Sequence, residues 1–209
     1  MKELWIAGGS GAALEAWAVA RAMAAPPWRL RGFLVASDGI DFDPEGLEVL
    51  EESRFLDQPE HRGSLVVVAL GDPRLRERVV ARFAAKGLAF ATLVHPSAVI
   101  GPNCTLGEGS VVMAQAVLET HVKVGSHALL NVGCSIAHNG VLGSFCSLGP
   151  GVRLAGWASL GDRCDLGVGC SLRPRVALGP DTRVGAGAAV VSDHPGGATL
   201  VGVPARPRP

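Results

Sequence analysis

The sequence predicts two unlike parts: a small Rossmann-like parallel α/β sheet over residues 1–93 and a parallel β-helix of six-residue repeats over residues 94–209. Three observations predict them. From Val94 through Ile100, Leu106 and Val112 to Val184 and Val190, every sixth residue is aliphatic, with no insertion in the register. All five cysteines (Cys104, Cys134, Cys146, Cys164 and Cys170) fall four places after that aliphatic residue, where Ala, Val or Ser stands in other repeats. The first half instead alternates short apolar runs with helical patterns.

Each element has its own reason. Leu4–Ala7 is an apolar run that meets Gly8-Gly9-Ser10-Gly11. An alanine-rich helix follows to about Ala24, where Pro26-Pro27 stops it. Leu30–Val35 reads as a second strand. Residues 37–63, with Asp38, Asp41, Asp43, Glu45, Glu48, Glu51 and Glu52, read as loop plus a short helix. Leu65–Leu70 is continuously apolar, the pattern of a strand covered on both faces. Gly71-Asp72-Pro73 ends it and opens a helix over Arg74–Lys86, with Leu75, Val79, Val80 and Phe83 on one face. Phe90–Leu93 reads as a last strand that leads into the ladder. Strands alternating with helices give a parallel sheet. In the ladder a period of six suits short strands joined by corners. The aliphatic residue points inward and a following glycine (Gly101, Gly107, Gly125, Gly143) relieves crowding. Three repeats make one coil, so residues 18 apart stack. The cysteines then sit as small buried hydrophobes, not as a disulfide or thiolate metal framework.

Composition narrows the function classes. Nineteen Lys and Arg balance nineteen Asp and Glu, so neither nucleic acid nor a membrane surface is implied as a partner. No N-terminal targeting pattern is visible and no apolar run is long enough to span a bilayer. A cytoplasmic protein, whose reducing surroundings suit free cysteines, is expected.

Chemistry belongs at the polar corners, because the interior of the ladder is aliphatic. His138 and Asn139 share one corner, with Asn131 earlier in the coil; the 18-residue rule stacks His121 beneath Asn139 and Thr120 beneath His138. A histidine there can serve as a general base near neutral pH. His127 reads as an ordinary corner residue, His95 before Pro96 as structural, and His61 and His194 as partnerless loop residues. In the α/β part, Gly8–Gly11 after the first strand and Gly71 after the third form turns beyond strand carboxyl ends, where such sheets bind ligands. Gly9-x-Gly11-x-x-Leu14 lacks the third glycine of a dinucleotide fingerprint.

Several segments together resemble the hexapeptide-repeat sugar acyltransferases that carry an N-terminal nucleotide-sugar-binding domain. These are the sialic acid O-acetyltransferase type and the N-acetyltransferases of bacillosamine and perosamine pathways. They are Gly8-Gly9-Ser10-Gly11, Gly32-Phe33-Leu34, Ala69-Leu70-Gly71 with Arg74, Leu93-Val94-His95-Pro96-Ser97-Ala98, Asn131 through His138, Leu154-Ala155-Gly156 and Gly202-Val203-Pro204-Ala205. The resemblance implies a left-handed β-helix, a homotrimer with active sites between subunits, a nucleotide-sugar substrate and acetyl-CoA as acyl donor, with no metal. It implies His138 as the base, with Asn139 beside it and Asn131 holding the sugar or the transition state. It implies Ser10, Gly11, Ala12 and Gly71 as substrate-binding, and Ser147, Gly156, Val168 and Ala186 as acetyl-CoA contacts.

The chain departs from the family in three places. Asn139 replaces the usual acidic residue after the histidine. Ala12 stands for the common histidine of Gly-x-Gly-His, with Val35-Ala36 for the acidic pair. Ser147 aligns with a second histidine of some members. N-acetylation of a nucleotide-linked amino sugar is the favoured reading. The alternatives are O-acetylation of a sugar hydroxyl, a catalytically weak sugar-nucleotide-binding trimer, and three-histidine zinc chemistry with His121, His127 and His138. The last meets the ligand count of catalytic zinc but puts His127 on another face.

Overall fold

The structure, a computed structural model, describes residues 1–209 except Ser37, Asp38, Arg62 and Pro209. Asp38 of the acidic segment therefore lies outside the described residues.

The N-terminal half is a five-stranded parallel sheet: β1 (Lys2–Ala7), β2 (Trp28–Val35), β3 (Glu48–Glu51), β4 (Leu65–Val68) and β5 (Ala89–Phe90), in the order β3-β2-β1-β4-β5. Alternating strand residues go to opposite faces. Leu4 and Ile6 pack with α1 (Gly11–Ala22), while Trp5 and Ala7 pack with Phe55 of α2 (Glu52–Asp57) and Val79, Val80 and Phe83 of α3 (Pro73–Ala85). Asp72 caps α3 by accepting from Leu75 N–H at 2.7 Å, and Pro73 follows in the first turn. Residues 37–63 differ from the expected loop and helix. Glu48–Glu51 add an edge strand beside β2, because their backbone pairs Gly32–Val35 whatever the side-chain polarity. A helix (α2) and a 3₁₀ turn at Pro59–His61 follow it.

The C-terminal half is a three-sided parallel ladder. Its first face runs through Leu93–Val94, Val111–Val112, Leu129–Leu130, Ser147–Leu148, Asp165–Leu166 and Arg183–Val184. Its second runs from Val99–Ile100 through Ser135–Ile136 and Arg153–Leu154 to Ala189–Val190, and its third from Thr105–Leu106 through Val141–Leu142 to Ala177–Leu178. Each strand pairs in parallel with the strand 18 residues on, as the repeat predicts. The prism is filled by Leu118, Leu130, Ile136, Leu148, Leu160 and Leu172, with Cys134, Cys146, Cys164 and Cys170 buried among them. Cys104 is only part-buried, because it lies in the first coil, where Ile100 is 39% exposed. The glycine after the aliphatic residue is needed where coils approach closely: a Cβ at Gly143 would sit 2.6 Å from the Asp162 nitrogen. The other end is closed by a two-strand antiparallel return, Thr199–Val201 with Arg206–Pro207, that buries Leu200 and Ala205.

The two halves meet on the first face. Val19 of α1 packs in one cluster with Leu93, Val111, Met113 and Leu129. Beside it, Arg76 of α3 is completely buried without a carboxylate. Its guanidinium donates to the carbonyls of Leu70 (2.5 Å), His127 (2.9 Å) and Phe145 (2.7 Å) and to Ser147 Oγ (3.1 Å). Burial pushes its pKa down to about 10.

Candidate active site

The corner between the second-face strand Ser135–Ile136 and the third-face strand Val141–Leu142 carries His138 and Asn139. Asn139 takes a left-handed conformation, φ +60°, which Asn accepts better than most residues. Its N–H donates to Thr120 O at 2.9 Å, the stacking expected from the 18-residue coil, and His121 lies in the corner beneath. Four groups fix His138. Its Nδ1 is 3.2 Å from Asn139 Oδ1, and its backbone N–H donates to Glu119 Oε2 at 3.0 Å. Its carbonyl accepts from Trp157 N–H at 3.0 Å, and the Trp157 indole meets the imidazole edge-on with centroids 4.5 Å apart. Above the ring lies Gly156. A Cβ there would be 2.5 Å from Nε2, so the absence of a side chain at 156 makes the room the imidazole occupies. With Nδ1 tied to Asn139, Nε2 is the nitrogen left for a proton in transit.

The other expected site residues fall elsewhere in the chain. Asn131 lies on the edge between first and second faces, where its Nδ2 donates to the Glu15 carboxylate at 3.1–3.2 Å. Val168 and Ala186 stack on that same edge, flanked by a column of four left-handed glycines, Gly133, Gly151, Gly169 and Gly187. At ~4.8 Å per coil this column offers roughly 14 Å of backbone whose missing side chains leave open space. Gly156 alone among the expected donor contacts touches His138. Ser147 lies in the seam between the halves, donating from Oγ to Gly71 O at 3.0 Å, a partner that accounts for both residues.

Ser10 lines a cleft of about 400 Å³ beyond the carboxyl ends of β1 and β2, together with Gly8, Gly9, Ala36, Asp41 and Leu70. It precedes α1 without capping it by its side chain. Gly11 and Ala12 form the first turn, whose unpaired N–H groups suit an anion. Gly8 is held at φ +145°, with its missing Cβ facing Ala69 O.

His127, His61 and His194 differ from the reading of the sequence. His127 is not an ordinary corner residue. It is 4% exposed on the third-to-first edge, stacked on Phe145 and edge-on to Phe90, with Nδ1 unpartnered. It therefore does not converge with His121 and His138, and no group of three His, Cys, Asp or Glu side chains among the described residues is placed to hold a metal ion. His61 stacks on Phe55 and bonds Gln58, and His194 accepts from Gly196 N–H, so neither lacks a partner. His95 accepts from Ser97, holding the turn at the start of the ladder. Burial pushes the Cys134 and Cys170 thiols up to about 12, which removes them as thiolate nucleophiles.

No protein-family model matches the chain. Over 94 residues it is 26% identical to GDP-perosamine N-acetyltransferase from Escherichia coli, a match that spans 45% of this chain and 42% of that protein. Among solved structures it is 33% identical to a histidine-to-asparagine variant of perosamine N-acetyltransferase from Caulobacter crescentus in complex with CoA and GDP-perosamine. That match has a TM-score of 0.92 over 100% of this chain and 98% of the other. The acetyltransferase domain of PglB from Neisseria gonorrhoeae, in complex with acetyl coenzyme A, is 28% identical with a TM-score of 0.88, covering 99% of each chain.

The chain belongs to this sugar acetyltransferase family. Its ladder is the left-handed β-helix of these acetyltransferases, as the resemblance implied. Against that background, sequence reading missed three residues. Arg76 shares the apolar stripe of α3 with Val79, Val80 and Phe83, a charge in a buried row that periodicity could have flagged. Glu119 and Trp157 stack one coil below and above the His138 corner, so the 18-residue rule could have found them.

Proposed function

We propose that this acetyltransferase moves the acetyl group of acetyl-CoA onto the amino group of a nucleotide-linked amino sugar, with His138 as general base. The acceptor nitrogen attacks the thioester carbonyl carbon. His138 Nε2 takes the proton that the nitrogen gives up, and collapse of the tetrahedral adduct breaks the carbon–sulfur bond. The proton then returns to the departing CoA sulfur. The observation that carries this reading is the clamped imidazole at Gly156, in a chain matched end to end by a perosamine N-acetyltransferase solved with CoA and GDP-perosamine.

The nucleotide end of the substrate is assigned to the Ser10 cleft, its phosphates to the first turn of α1 at Gly11 and Ala12. The donor is assigned to the glycine-lined edge at Val168 and Ala186. His138 and Asn131 stand on different edges of one β-helix, so a complete site needs the His138 edge of one subunit beside the Asn131 edge of its neighbour. That separation supports a homotrimer with sites between subunits. A cytoplasmic location fits this reading, since five free cysteines suit reducing surroundings. No helix among the described residues is long and apolar enough to cross a membrane.

The test is thiol release from acetyl-CoA against UDP-, GDP- and dTDP-linked 3-amino and 4-amino sugars, with His138→Ala alongside. Turnover with an amino sugar, reduced at least about a hundredfold in the variant, is the expected result. Turnover only with hydroxyl acceptors would move the reading to O-acetylation. Binding of both substrates without turnover would leave a binding protein.

A further inference from the structure

Trp157 is the least expected side chain near the base. It repeats the Asn139 position one coil on, and Arg175 repeats it again, its guanidinium carbon 4.6 Å from the indole centroid. The backbone of Trp157 is left-handed, φ +59°, a conformation that bulky side chains rarely adopt. The same left-handed geometry recurs at other corners, with glycine at Gly133, Gly151 and Gly169 and with side chains at Asn103, Gln115, His121 and Arg163, so it belongs to the repeat; at Phe145 the side chain covers the buried His127. Trp157 closes no core, since it is 48% exposed. A large exposed ring beside the imidazole is therefore placed by this corner's own surroundings and not by the coil geometry.

Its position suggests the role. The acyl carbon must come to within ~3.5 Å of the acceptor nitrogen, and that nitrogen hands its proton to His138 Nε2. Nε2 faces Gly156. A two-carbon acyl group therefore reacts within one side chain's reach of the Gly156-Trp157 segment, and each further methylene must extend past it. The indole stands edge-on to the imidazole at 4.5 Å and is backed by Arg175, which restricts its swing.

We infer that Trp157 is a specificity-determining residue, the wall that limits the acyl donor to acetyl. Gly156 makes room for the base and Trp157 takes away room for a longer chain. The inference rests on the acetyl-CoA-dependent reading above.

The test is calorimetric binding of acetyl-, propionyl- and butyryl-CoA to the full-length protein and to Trp157→Gly, Trp157→Ala and Trp157→Phe. Glycine suits the left-handed backbone, so the first variant should fold even if the second does not. Wild type should bind acetyl-CoA at least about tenfold more tightly than butyryl-CoA, the scale of discrimination a methylene-sized wall provides. That preference should vanish in Trp157→Gly, through tighter binding of butyryl-CoA, and be partial in Trp157→Phe. Acetyl-CoA binding with the same acyl preference in every variant overturns the inference and leaves the acetyltransferase reading standing. Wild type that binds no acyl-CoA overturns both.

Discussion

At the scale of single residues, the His138 corner shows a backbone demand competing with a chemical one. The residue after the base sits at φ +60°, where Asn is among the best-tolerated side chains. A carboxylate there would also orient the ring, and would stabilise the imidazolium that Asn139 can only hydrogen-bond. Loss of such a charge in a serine-protease triad costs ~10⁴ in rate. Asn139→Asp is therefore expected to raise kcat/KM by about tenfold or more at a small loss of thermal stability, read by thiol release and a thermal melt. Gly156→Ala tests the room above the ring. Its backbone is not left-handed, so alanine fits the chain, but the new Cβ must displace Nε2 or Cε1 from 2.5–2.6 Å. An ångström of displacement costs about a hundredfold in turnover. We expect that fall in kcat with the melting temperature nearly unchanged.

At the scale of elements, legibility followed periodicity. The ladder was readable because one inward aliphatic residue per strand and one stacking distance describe every rung from Leu93–Val94 to Ala189–Val190. Glu48–Glu51 was not, because an edge strand with two glutamates at its ends carries no apolar signature and takes its structure from β2. The left-handed corner position was equally silent. It accepts Asn103, Gln115, His121, Phe145, Trp157 and Arg163 with one backbone geometry, so the side chain there reports its surroundings and not the repeat. His127 was misread for that reason. Its burial between Phe90 and Phe145 depends on β5 arriving from the other half of the chain. This has a measurable consequence. Burial first, and the Arg76 cation second, push its pKa down from 6.5 to about 4. Between those values the unfolded chain takes up a proton that the folded chain refuses. The full stability is present above pH 6.5 and is lost as pH falls towards 4, by up to about 3 kcal/mol. Denaturant titrations at pH 7 and pH 4.5 should show this difference, and a non-titrating His127→Gln should flatten it.

At the scale of the whole molecule, the fold was legible and the way its halves dock was not. Docking rests on Arg76, an arginine that satisfies backbone carbonyls on two successive corners instead of a carboxylate. Around it, Arg163 bridges Glu77 and Asp181, and Arg183 reaches Asp72 at 3.5 Å. The Arg183–Asp72 pair is about half exposed and worth ~0–1 kcal/mol, whereas Arg163 grips Asp181 through two part-buried hydrogen bonds of 2.9 and 3.1 Å. The buried arginine differs, because removing it strands the carbonyls of Leu70, His127 and Phe145. Arg76→Met should destabilise the protein by about 3 kcal/mol or more, visible in a thermal melt and as faster proteolysis at the seam around Gly71.

A prism of near-identical coils resembles a screw: its backbone threads look alike, and only the side chains on the flank tell one from the next. One thread higher, ~4.8 Å away, the backbone repeats but the patch under α1 would meet Ser147 where it now meets Leu129 and Asn131 where it now meets Met113. Arg76 behaves as a pin in that thread, since its fork fits the carbonyls of the corners at His127 and Phe145 while Ser147 engages Gly71 beside it. Without the pin, the Ser10 cleft and the His138 corner would hold a discrete set of relative heights, not a blurred one. Substrates of different reach would then sample different threads, so slippage would surface as altered selectivity before the protein melted.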